Sequence, residues 1–200
     1  MTTAIRVPQE QRTRVMRARL LDATVELLVE RGFAGTSTTL VSQRAGVSRG
    51  AQLHHFPTKN DLVVAAVEHV ADTRAESLRA SARELPEGPT HTRQVLQMLA
   101  DHVTSPVFTA ALELWVAART DAQLLAAVGP LEQRIGRELH RVTVELLGAE
   151  ESRAGVRELV QATLDLVRGL GLAATLSDDA RRRERILDQW ADVLDRELTR

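Results

Sequence analysis

The side chains of this sequence best suited to chemistry are gathered in one short run, SRGAQLHHFPTKNDL, between Ser48 and Leu62. Arg49 offers a guanidinium fork that can meet guanine O6 and N7 together, and Gln52 an amide that can pair with adenine. Ser48, His54, His55 and Lys59 carry polar tips of the kind that bind phosphate oxygens. Ser48 also opens a helical stretch, whose first backbone N–H groups and dipole favour an anionic oxygen. The set suits contact with a polyanion through base edges and backbone together. It does not suit a metal, because the adjacent His54 and His55 project to different sides of a helix.

Such a run needs elements to hold it. From Thr13 to Arg31 the residues Ala18, Leu21, Val25 and Leu28 recur at three and four, and Leu20 and Leu27 widen the stripe. This predicts an amphipathic helix, closed by Gly32 as a C-cap. GTSTT then supplies N-cap candidates for a short helix through about Arg44. Ala45-Gly46-Val47 breaks the chain, with Gly46 suited to a tight turn because it reaches backbone angles that a Cβ resists. Ser48 caps a third helix ending near Phe56-Pro57, and Thr58 or Asn60 caps a long fourth one that runs to the breaker LPEGPT. Two short helices crossed through such a turn let one of them enter a major groove about 12 Å wide. Val41 and Val47 are expected to face Leu21, Val25 and Leu28, leaving Ser48, Arg49, Gln52 and the histidines outward. Further helices are expected at about 91–104, 106–119, 121–147, 152–176 and 179–198, with no strand pattern. The expected fold class is all-α, with about nine helices.

Charge supports a division of labour. Through Asn60 there are nine Arg or Lys against four Asp or Glu, an excess of five, and since the whole chain carries −1 the remainder carries −6. A basic end on an acidic body implies a polyanionic partner for that end alone. Hydrophobic content of 44% is enough for a core, and the absence of cysteine excludes disulfides, thiolate metal sites and cysteine nucleophiles. No apolar run approaches the roughly 18 residues that span a bilayer, and MTTAIRVPQEQRTR has no apolar core of the signal-peptide kind. A cytoplasmic location is expected.

The run from about Thr13 to Leu62, with RGF…TS, RAGVSRG and HHFPTKNDL, resembles the DNA-binding domain of TetR-family (tetracycline-repressor-like) transcriptional regulators. The resemblance implies that the second and third helices form a helix-turn-helix, that the third reads the major groove, and that the Lys59 region meets the DNA backbone. The expected DNA-facing set is Thr38, Thr39, Gln43 and Arg44 with Ser48, Arg49, Gly50, Gln52, Leu53, His54, His55 and Lys59. One departure stands out. Many relatives carry an apolar residue and then a phosphate-touching Tyr where this chain has Gln52-Leu53, and Leu53 has no hydroxyl.

The division expected is a helix-turn-helix domain over 1–60, with 1–10 a flexible arm, and an effector-binding and dimerisation domain over 61–200. In the body, Val156, Val160, Thr163, Val167, Leu170 and Ala174 recur at fours and threes, with Gly169 and Gly171 allowing close helix approach. Leu187, Ala191, Leu194 and Leu198 repeat the pattern, with Trp190 beside them. Two such seams suit a four-helix bundle with a second copy, or else the chain's own core. The resemblance favours the former, placing Val160, Thr163, Val167, Leu170, Gly171, Ala174, Trp190 and Leu194 at a dimer interface. It also implies a small-molecule effector in the body that relieves repression. Met98, His102, Phe108, Leu112, Trp115 and Arg119 are the candidate chamber walls.

No Glu-x-x-His pair, GxxxxGK[ST] or HExxH occurs, so no enzyme and no cofactor is expected. The expectation is a homodimeric repressor bound to a palindromic DNA operator. The alternative, a helical protein-interaction module, leaves the basic first sixty residues without a purpose.

Overall fold

The computed structural model describes residues 9–86 and 88–198, and every described element is helical: α1 (Gln9–Gly35), α2 (Thr38–Ala45), α3 (Arg49–His55), α4 (Lys59–Arg83), α5 (His91–Val103), α6 (Pro106–Ala118), α7 (Ala122–Leu147), α8 (Val156–Ala174) and α9 (Ala180–Leu198). Most of the arm expected over 1–10 lies outside the described residues. No described helix is long and apolar enough to cross a membrane.

The chain forms two compact units, one of residues 1–70 with 113–128, the other of 71–112 with 129–200. The division expected at residue 60 therefore falls later. Leu62 and Ala66 of α4 are buried with the first unit's core, so the early turns of that helix belong to it.

That core joins Leu20, Leu21, Ala23 and Leu27 of α1 to Val41 of α2, Phe56, and Leu62 and Ala66 of α4, with Val25, Leu40 and Val47 against it. Each fully buried Leu contributes about 1.5–3 kcal/mol. α1 stops being regular at Gly32 (φ 65°, ψ −179°). A side chain there is disfavoured by the positive φ, and the Glu113 carboxylate lies where a Cβ would stand and would have to swing aside. The freed Gly32 carbonyl accepts from Thr36 Oγ1 at 2.8 Å.

In the second unit, α5 packs against α8 and α9, and α8 against α9. Val95, Leu96, Leu99, Ala100 and Val103 of α5 are buried, as are Val160, Thr163, Val167, Leu170 and Gly171 of α8 and Leu187, Ala191 and Leu194 of α9. Gly171 has a packing reason, since a Cβ on it would come 2.6 Å from the Val103 carbonyl oxygen and 2.9 Å from the Phe108 ring. Arg93 reaches Asp188 at 2.5 Å. Arg153 donates to the Leu198 and Glu197 carbonyls at 2.6 and 3.0 Å, closing the end of α9 where the helix dipole favours a cation.

This arrangement corrects the expected dimer interface. Val160, Thr163, Val167, Leu170, Gly171 and Leu194 have lost their solvent exposure within one chain, so they are not available to a second copy. Trp190, half-buried, donates from Nε1 to Thr163 Oγ1 at 3.0 Å, and Ala174 is half-buried at the end of α8. The seams are real, but they meet α5.

Candidate nucleic-acid interface

α2 and α3 are joined by a turn whose geometry follows from its residues. Gly46 is left-handed (φ 64°, ψ 33°), its N–H donates to the Gln43 carbonyl, and the Val47 N–H donates to the Ser42 carbonyl at 3.0 Å. This paired closure is the Schellman motif, which a glycine at that position favours. Ser37 Oγ caps α2 by accepting from Leu40 N, and Ser48 Oγ caps α3 by accepting from Ala51 N, both at 3.3 Å. Capping uses a lone pair of Ser48, so its O–H proton stays available as a donor. α4 starts with a reciprocal cap in which Thr58 N donates to the Asp61 carboxylate and Asp61 N to Thr58 Oγ1, both at 3.1 Å.

With both ends set, α3 has little rotational choice. Ser48, Arg49, Gly50, Leu53 and His54 are exposed, and His55 is half-buried. On α2, Thr39 and Gln43 are exposed and Thr38 is half-buried.

Three residues expected to face DNA are engaged elsewhere. Gln52 is 0% exposed, its Nε2 donating to the Phe56 carbonyl at 2.6 Å, so it faces the core and not a base. Arg44 is forked onto both Glu30 carboxylate oxygens at 2.8 Å and onto Glu26 at 3.0 Å. This fork raises its own pKa and holds the Glu30 carboxyl below its ordinary value. Its charge binds α2 to α1. Lys59 donates to the Phe33 carbonyl at 2.6 Å, with its ammonium 3.9 Å from the Phe33 ring centre. Burial lowers its pKa. It ties the start of α4 to the end of α1.

The candidate effector residues are not brought together in a single unit. Met98, His102, Phe108 and Leu112 lie in the second, Trp115 and Arg119 in the first. Phe108 is 8% exposed and its ring packs on Gly171, so it serves helix contact. Met98, His102, Leu112 and Trp115 are half-buried and Arg119 is exposed.

The sequence reading missed a second apolar face on the hairpin. Leu166, Ile186 and Trp190 line an outward groove with Gln189, rimmed by Arg182 and Arg185. Leu172 near the end of α8 and Leu176 just beyond it are also exposed, at 55% and 88%. The available signal was that Leu166 and Ile186 each stand one residue before a stripe residue, widening the apolar arc beyond what one neighbour covers.

A glycine-turned helix pair with a capped, outward polar α3 at the N-terminal end of a larger helical body defines a DNA-binding regulator of transcription. The chain belongs to the tetR family of bacterial regulatory proteins, whose profile matches residues 20–66. It is 30% identical over 191 residues to the HTH-type transcriptional regulator CymR of Pseudomonas putida, covering 92% of each chain. The fold is similar to that of a transcriptional regulator from Pseudomonas aeruginosa PAO1, with a TM-score of 0.72 and 26% identity over 94% of this chain and 92% of that one. It also shares the fold of the multidrug binding protein EbrR complexed with proflavin, with a TM-score of 0.61 and 21% identity over 88% of this chain and 99% of that one.

Proposed function

We propose that the protein is a homodimeric repressor that holds a palindromic operator through α3 and is released by a small molecule bound in its second unit. The observation that carries this reading is the outward face of α3, where Ser48, Arg49, Gly50 and His54 stand clear of the core on a helix closed at both ends. Arg49 is the reader of a guanine through O6 and N7, Ser48 and His54 donate to phosphates, and Thr39 and Gln43 support them from α2.

The partner copy covers the outward groove of α8 and α9, with Leu166, Ile186 and Trp190 at its centre. This replaces the buried stripe as the dimer face, and an apolar face of this kind needs a cover. Two-fold pairing sets the α3 helices about 34–36 Å apart, one turn of DNA, in the binding state. An effector that prefers another spacing lowers the bound population by its difference in affinity for the two states. Met98, His102 and Leu112 remain its candidate contacts, and the proflavin held by EbrR supports a search among flat or apolar compounds.

Fluorescence anisotropy against DNA from upstream of the protein's own gene, with scrambled DNA of equal length over a salt series, tests the reading. Tight, sequence-preferring binding that weakens steeply with salt is expected. Selection from random DNA that enriches no sequence would remove it.

A further inference from the structure

The outward face of α3 holds one apolar side chain, and its placement runs against ordinary amphipathic logic. Leu53 is 43% exposed, while the neighbouring Gln52 is 0% exposed. Gln52 satisfies only half of its amide by donating to the Phe56 carbonyl, and its Oε1 is buried without a hydrogen-bond partner. A turn of α3 by one residue, about 100°, would wet the amide and bury the leucine. The ends of the helix oppose that turn. Ser48 caps it, the Gln52 N–H donates to the Ser48 carbonyl at 3.0 Å, and the Phe56 N–H donates to the Gln52 carbonyl at 2.8 Å. Phe56 itself is buried with the Arg17 guanidinium 5.5 Å over its ring. The fold therefore keeps an isobutyl group facing outward on the surface that carries Arg49.

Gly50 supplies a second, independent observation. A Cβ there would meet nothing within 4 Å, and its φ is not positive, so neither packing nor backbone conformation requires a glycine. What the missing side chain does allow is close approach of α3 to another surface, one helical turn before Leu53.

We infer that Leu53 reads the C5-methyl group of a thymine in the operator, an inference that rests on the DNA-binding reading above. In the major groove, thymine alone among the four bases presents a methyl group, and an apolar side chain is the matching contact. Arg49 and Leu53 are four residues apart, a rise of about 6 Å along the helix. That distance corresponds to roughly two base steps of about 3.4 Å. The half-site therefore carries a guanine for Arg49 and a thymine for Leu53 within about two steps of each other, where many relatives spend the residue on a phosphate.

The test uses the full-length protein and the operator obtained by selection from random DNA. Each thymine is replaced in turn by deoxyuridine, which removes only the methyl group. Wild-type protein is expected to lose about fourfold in affinity at one position per half-site, the worth of one buried methyl group. Leu53→Ala should bind the thymine operator about as weakly as wild type binds the uracil one. It should also be indifferent to uracil at that position, while Leu53→Met keeps the discrimination. Unchanged thermal melting of both variants shows that the fold is intact. A flat uracil scan of a tightly bound operator, or full thymine discrimination by Leu53→Ala, overturns the assignment and leaves the repressor reading standing. Failure to select any operator removes both.

Discussion

The helix-turn-helix and the α8–α9 hairpin carry the same kind of apolar pattern and use it to different ends. In the first, Val41, Phe56 and Leu62 go inward and the opposite side of α3 is left polar apart from Leu53. In the second, Val160, Val167, Leu170 and Leu194 go inward as well, yet Leu166, Leu172 and Ile186 keep an apolar face on the other side. A stripe at helical spacing says which side of a helix leaves water, and not against what. A second apolar arc beside the first is the feature on which the proposed pairing with a second copy rests.

The comparison can be broken at its strongest point first. Val167 is 2% exposed, so Val167→Asp should cost at least about 3 kcal/mol and abolish cooperative melting of the second unit. A variant that melts normally but sediments as a monomer would return the stripe to the subunit interface. Ile186→Asp should do the reverse, raising the dimer dissociation constant about a hundredfold in sedimentation while the melting of each chain persists.

On the first unit, Arg49→Ala is expected to weaken specific operator binding by about 10- to 100-fold in anisotropy. Non-specific binding, fold and dimer should remain. Retained specificity would move the reading residue elsewhere on α3.

The smallest effect is at the Arg44 fork. The Glu30 carboxyl is held below its ordinary value of 4.5 chiefly by its hydrogen bond to Arg44. A depressed carboxyl stabilises the fold fully above the unfolded value and loses that contribution as pH falls through the folded one. The wild-type advantage in melting temperature over Glu30→Gln should thus be flat from neutral pH to about 4.5 and vanish below it. Added salt should shrink it, because the pair is exposed. An advantage that grows on acidification would reverse the assignment.

Much of the fold was legible because its signals are local. Gly46, Ser48 and the Thr58 start of α4 stand where the caps and turn were expected, since a cap or a left-handed residue depends on a few neighbouring atoms. Gln52 was misplaced because its type argues for solvent while the phase of a seven-residue helix, fixed by Ser48 and Phe56, turns it inward. Arg44 looked free because Glu26 and Glu30 lie 18 and 14 residues away in sequence. Lys59 meets Phe33 from 26 residues away.

The sequence by itself determined that the chain is helical throughout its described elements, the glycine turn and the caps that start α3 and α4, because each rests on hydrogen bonds and torsions within a few residues. The ends of α1 and α8, by contrast, fall up to four residues from where spacing put them. Only the tertiary structure decided which cations are paired within the chain and which apolar stripe meets the chain's own α5. It also decided that Leu53 faces outward while Gln52 does not. Those outcomes depend on distances between residues far apart in the chain, and no local pattern carries them.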